Sequence, residues 1–172
     1  MKRVTGKAIN WEIFFMDIDA VPPPPAVPLL LHCYALRCTI RGLYLLRKKG
    51  WGVASQYLRT LRPGRGANEH TTLPVPVALR LAWRNVLPSQ VLAHLFGSNA
   101  RCLVRSYALA LYLSAIGLPV TLMVAREKLT IHAQYNFHAW SDLYGTVLND
   151  SSEVPRGYTV LQRIVCQRLV ER

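Results

Sequence analysis

Acidic residues are scarce in this chain: nine Asp and Glu stand against 21 Lys and Arg in 172 residues, a formal net charge of +12 at neutral pH. So unbalanced a chain draws anionic partners, whether nucleic acid, an anionic membrane surface, or an acidic peptide or protein. It lacks a helix-turn-helix or any other recognised DNA-reading motif, which favours a solvated or partner-docking face over nucleic-acid binding. Long apolar runs are also missing. Met1-Lys-Arg leads to Glu12, Asp17 and Asp19 without an uninterrupted apolar stretch, so no secretory signal is evident. The longest apolar region, Ala26 to Leu46, is broken by His32, Arg37 and Arg41, short of the ~20 mostly apolar residues that a membrane span requires. Cysteine is limited to Cys33, Cys38, Cys102 and Cys166, and with nothing placing them in an oxidising compartment a reduced, cytoplasmic chain is expected. His32-Cys33 and Cys38 match no usual zinc spacing, so helix packing is the expected role of both cysteines, and a structural role that of Cys166. No internal repeat is apparent.

What is present is enough for a core, since 51% of the residues are hydrophobic, and one catalytic domain with a modest N-terminal addition is the expected count. Three parts are expected: an N-terminal segment and Pro-rich connector over 1–28, a helical layer over 29–97, and a catalytic core over 98–172. In the first, a β-like run from Trp11 to Ile18 precedes Pro22-Pro-Pro-Pro25 and Pro28, which predict a stiff extended connector. Leu29 to Leu61 reads as helix interrupted at Gly42, Gly50 and Gly52, Pro63 to Gly66 as a loop, and Val77–Val86 and Ser89–Phe96 as two helices parted at Pro88. The charge is lopsided across these parts. Residues 1–101 hold 14 Lys and Arg against 4 Asp and Glu, and the eight basic residues from Arg37 to Arg65 have no acidic residue among them.

The C-terminal part carries the chemistry. Cys102 stands where a helix should begin, with Ser98 or Asn99 as N-cap, Gly117 as the stop and Pro119 beyond it. A thiol reacts as thiolate, and a helix N-terminus or an imidazolium lowers its pKa from about 8.5. From Tyr107 to Ile116 nearly every residue is apolar or small, the pattern of a helix buried on most sides. Leu118–Ala125, Tyr135–Asp142 and Thr146–Asp150 read as strands, the last two joined by a three-residue loop, Leu143-Tyr144-Gly145. That loop sets Asp142 opposite Thr146 and His138 opposite Asp150, so a carboxylate can hold one ring nitrogen while the other faces the thiol. A two-residue loop would instead oppose Asp150 to Ala139 and change the faces. Each residue also has a plain reading. Cys102 can be a small buried hydrophobe, Trp140 core packing, and Asn149-Asp150 an ordinary turn.

Together the blocks Cys102-Leu-Val-Arg-Ser-Tyr-Ala-Leu, Gly117-Leu-Pro-Val-Thr-Leu, Phe137-His-Ala-Trp140 and Val147-Leu-Asn-Asp150 resemble the B-protein family of lasso-peptide biosynthesis. Its members are transglutaminase-like cysteine peptidases that remove the leader from a precursor peptide. The resemblance covers roughly residues 98 to 164 and implies a catalytic triad of Cys102, His138 and Asp150. It departs at Met123-Val-Ala-Arg126, where the family usually has a Gly-Val-Arg-like strand end, while Asp142 occupies the place of a common acidic residue after His-Ala-Trp. The implied fold is α+β, a papain/transglutaminase-like core of one buried helix on an antiparallel sheet, with the N-terminal helical layer against it.

The resemblance further implies a precursor peptide as substrate, a separate leader-recognition protein, and an ATP-consuming, asparagine-synthetase-like cyclase as partner. Some relatives carry an N-terminal leader-binding module. The first 20 residues here are too few to build one and leave room only for a remnant strand or docking segment. The chemistry expected of Cys102, His138 and Asp150 calls for no cofactor and no metal. Two other readings remain open, a transglutaminase-like acyl transferase using the same three residues, and a non-catalytic module that grips a partner through its basic layer.

Overall fold

In a computed structural model of the chain, residues 22–96, 102–128 and 137–166 are described. The β-like run over Trp11–Ile18 and the proposed N-caps Ser98 and Asn99 lie outside them. Residues 22–28 form no regular element, and Pro28 has the extended backbone of polyproline (φ −59°, ψ 143°).

The order among the described residues is α1 (Leu29–Thr60), α2 (Asn68–Thr71), α3 (Val75–Arg84), α4 (Val86–Phe96), α5 (Cys102–Ala115), β1 (Thr121–Glu127), β2 (Phe137–Leu143), β3 (Thr146–Val147), α6 (Val154–Gly157) and β4 (Tyr158–Val165). The fold is α+β, as the sequence indicates. The four strands form one antiparallel sheet in the order β3-β2-β1-β4.

α1 is a helical hairpin rather than one rod. Gly50 leaves helical geometry at φ 80°, ψ −179°, and the chain doubles back so that residues 29–49 and 51–60 pack side by side. By length and composition alone α1 could cross a membrane. Its arms instead turn Leu31, Ala35, Leu43, Ala54 and Leu58 into the protein core. Gly42 does not interrupt the helix as expected. It is a close-approach point, where a β-carbon would collide with the Leu111 side chain of α5. The next break also differs from expectation. α3 ends at Asn85, whose side chain donates to the Leu81 carbonyl at 2.8 Å. Pro88 lies within the first turn of α4, where a missing N–H costs little.

α5 is the axis of the molecule. Every residue from Ser106 to Ala115 is buried, between the α1 hairpin and α4 on one side and the sheet on the other. Its end is tightly specified: Gly117 sits at φ 99°, its N–H bonds Ser114 O at 3.1 Å, and Leu118 N–H bonds Leu113 O at 2.9 Å, a Schellman turn. The next free carbonyls are taken by the connecting loop and α2. Gly64 N–H reaches Ala115 O at 2.9 Å, and buried His70 Nδ1 lies 2.6 Å from Ile116 O. One hydrophobic cluster runs through the molecule from Leu31 to Cys166, joining the helical layer to the sheet. Cys166 Sγ contacts Leu61 O at 2.9 Å inside it. Cys38 is likewise buried, whereas Cys33 is exposed and does not pack.

A bulge decides what the second face of the sheet holds. Val124 pairs with Gln162 but Ala125 pairs with Val160, so Leu161 is an extra residue on β4. The pleat changes phase there. Ile164 therefore faces α5 with Leu122, while Tyr158 and Val160 join Trp140 and Ala125 on the opposite face.

Candidate active site

The strand carrying His138 has two unlike faces. Alternation along β2 turns Ser141 and Leu143 toward α5, whereas Trp140 packs in the smaller cluster with Ala125 and Val147. His138 lies on the Trp140 side, its ring centroid 6.2 Å from Trp140 and 5.0 Å from Tyr158. Tyr158 covers the imidazole because the β4 bulge places it on that face.

The expected hairpin register is not the one observed. Leu143 pairs with Thr146 and Asp142 with Val147, which is a two-residue loop, Tyr144-Gly145, with both residues at positive φ (53° and 84°). Such a turn matches the twist of the strands it joins. The non-glycine Tyr144 at the first position gives no sequence signal for it. In this register Asp150 belongs opposite Ala139, on the wrong face. It reaches His138 nonetheless, because the ladder stops early. Leu148 N–H still bonds Ser141 O at 2.9 Å, but Ser141 N–H donates to the side chain of Asn149, at 2.8 Å from Oδ1. The chain is then free to bend, and Asp150 Oδ2 lies 2.7 Å from His138 Nε2.

A network of small polar side chains secures that bend. Asn149 Nδ2 donates to Ser106 Oγ at 2.8 Å, Ser106 Oγ lies 2.8 Å from both Cys102 O and Ala139 O, and Ser141 Oγ donates to Ser106 O at 2.9 Å. Ser106 and Ser141 are fully buried. Ser106, Ser141 and Asn149 thus tie together the helix bearing the thiol, the strand bearing the imidazole and the loop bearing the carboxylate. Sequence reasoning did not single out the two serines. Their signal was spacing, Ser106 one helical turn beyond Cys102 and Ser141 on the helix-facing side of His138's strand.

Cys102 opens α5 and is partly buried. Its sulfur lies 3.9 Å from the Phe137 carbonyl and close enough to the His138 ring to be influenced by it. With Nε2 on Asp150, Nδ1 is the nitrogen left for sulfur. The imidazole contact lowers the thiol pKa against the opposing effect of burial, helped by the backbone N–H groups of Ala139 and Leu103. His138 is shifted the other way: the Cys102 contact raises its pKa, burial lowers it, and Asp150 adds to the rise. Both shifts favour thiolate beside imidazolium. The structure therefore brings the three sequence-predicted residues together, by a register other than the expected one. Among the described residues no group of three or more His, Cys, Asp or Glu could hold a metal ion.

Comparison with known proteins identifies the family. The model of a family described as the transglutaminase-like superfamily matches residues 43–163, from the first arm of α1 to β4. No curated protein matches the chain, and no solved structure does.

Proposed function

The chain belongs to the transglutaminase-like superfamily, whose chemistry is that of cysteine peptidases and acyltransferases, and from that premise we propose that it is a cysteine peptidase. In this reading it removes the leader from the precursor of a lasso peptide, as the sequence blocks around Cys102, His138 and Asp150 suggest. One observation carries the catalytic part: a thiol at a helix start stands beside an imidazole that is bonded in turn to a carboxylate.

The Cys102 thiolate attacks the carbonyl carbon of the last leader residue, forming a C–S bond and pushing the carbonyl electrons onto oxygen. N–H groups of the first turn of α5 face that developing charge. The imidazolium of His138 gives its proton to the leaving amine, the N-terminus of the core peptide, as the C–N bond breaks. Neutral His138 then takes a proton from water, which cleaves the thioester and frees the leader as a carboxylic acid. Asp150 holds the ring orientation throughout and stabilises its cationic form.

The same reading supplies the partners. A separate leader-recognition protein presents the precursor, and an ATP-dependent, asparagine-synthetase-like cyclase closes the ring on the freed amine. The reaction belongs in a reducing cytoplasm, where free thiols such as the four of this chain persist.

Incubating the protein with the precursor encoded beside its gene, and weighing the products, tests the proposal. Two fragments whose masses sum to that of the precursor plus one water are expected, with near-total loss for Cys102→Ala. A product joined to an added amine would make it an acyl transferase. Unaltered processing by Cys102→Ala would make it a binding module.

A further inference from the structure

At the far end of α5 from the thiol lies a basic cavity that the catalytic chemistry does not use. It has a volume of about 330 Å³ and is lined by Tyr34, Arg37, Cys38 and Arg41 from the first arm of α1, Tyr57 from the second, and Arg62 beyond it. The first four follow helical spacing and share one face. The Arg37 guanidinium stands 5.7 Å from the centre of the Tyr34 ring, and that of Arg41 stands 5.6 Å from the Tyr57 ring. Tyr34 in turn donates to the Arg62 carbonyl at 2.7 Å. Burial, reinforced by the Cys38 thiol, pushes the Tyr34 hydroxyl up to about 12 and Tyr57 higher still. Both phenols are neutral, and the cavity keeps the charge of three arginines. The His138–Asp150 and Arg156–Glu153 ion pairs lie elsewhere.

A second hollow of about 690 Å³ shares Tyr34 and Arg62 with the first and adds Pro28, Leu30, Leu31, Pro63, Gly64 and Arg65. The second hollow is the more apolar of the two, with Arg62 and Arg65 among its lining. A guanidinium offers two parallel N–H groups, which suits the two oxygens of a carboxylate. A nucleic acid fits less well. An arginine stands near each tyrosine ring where a base would stack, and a single concavity does not match a row of phosphates.

We propose that this groove is an exosite for an acidic segment of the cleaved peptide, an Asp or Glu carboxylate in the arginine–tyrosine cavity and an adjoining apolar side chain in the hollow beside it. The identity of that peptide rests on the peptidase reading. Gly64, which lines the second hollow, bonds Ala115, the last residue of α5, so that end of the groove lies about 20 Å along the helix from the thiol at 1.5 Å per residue. Six or more extended residues, at roughly 3.3 Å each, bridge that span.

The test is selection on an array of random synthetic dodecapeptides, using the full chain with Cys102→Ala so that nothing is cut. Selected sequences should be enriched in Asp or Glu next to an apolar residue. Adding Arg37→Gln and Arg41→Gln, both exposed positions, should weaken their binding at least tenfold at 0.15 M salt with no change in melting temperature. Absence of acidic enrichment, or undiminished binding by the double variant, would overturn the proposal. So would a twelve-nucleotide single-stranded RNA that binds more tightly than the selected peptides. A Cys102 chain that cuts no precursor yet selects acidic peptides through Arg37 and Arg41 would sink the peptidase reading and leave the groove standing.

Discussion

The proton between the Cys102 sulfur and the His138 ring is shifted toward the ring by the same contact that lowers the thiol and raises the imidazole. The pair titrates in two steps. Reactivity should rise with pH through a thiol step below the ordinary thiol range, and peptidase activity should fall again through a histidine step above the ordinary imidazole range. Iodoacetamide labelling against pH, with glutathione as the reference thiol in the same sample, checks the first limb. Cys102 is expected to react at lower pH than glutathione. His138→Gln should return its midpoint toward about 8.5 and cut labelling near pH 6.5 by roughly tenfold or more. Asp150 acts through the ring and not on sulfur. Asp150→Asn should therefore lower turnover by about 10²–10⁴ while leaving Cys102 labelling far less affected, a contrast read from labelling and cleavage on one sample.

Between elements, the link that matters is the bend at Asn149. Its side chain accepts the Ser141 N–H just where the β2–β3 ladder stops, and Ser106 and Ser141 complete the tie to α5. Asn149→Ala leaves the Ser141 N–H and the Ser106 hydroxyl short of partners, and a loss of about 1–3 kcal/mol in urea unfolding is expected. Activity should fall further than stability accounts for, since Asp150 loses its anchor. Gly117→Ala should be costlier for the fold and indifferent to the chemistry: its φ is 99°, and a β-carbon would strike the Ala67 carbonyl. This scale also shows why the sequence was only partly readable. The N-terminal and C-terminal limits of α5 were legible, since Gly117 and Pro119 are strong stops and Cys102 follows polar residues. The hairpin was not, because Tyr144 occupies a positive-φ position that sequence reading reserves for Gly or Asn. The pairing of His138 with Asp150 was inferred from a register the chain does not adopt, and it survives because a side chain, not the backbone, continues the ladder. Nor does a bulge at Leu161 announce itself, although it alone puts Tyr158 over the imidazole.

Over the whole molecule, the boundary expected near residue 97 separates two parts that share one core. Tyr107 and Leu111 of α5 pack toward the α1 hairpin, where Tyr107 donates to Ala54 O at 2.7 Å and meets Trp51 edge-on at 5.9 Å. Gly42 admits Leu111 so closely that no side chain fits between them. From the other direction Trp51 donates to Gln162 of β4 at 3.1 Å, binding the hairpin to the sheet's far edge. Stripping the hairpin away would bare the apolar flank of a helix whose residues from Ser106 to Ala115 are all buried, at about 25 cal/mol for each Å² exposed. Residues 98–172, which hold all three site residues, are therefore expected not to fold alone. Expressed by themselves they should give a collapsed amide spectrum and a Cys102 that labels like a free thiol, because His138 is no longer held against it. Residues 29–172 should restore both the dispersed spectrum and the low-pH labelling, since α1 supplies the surface on which the thiol-bearing helix is seated.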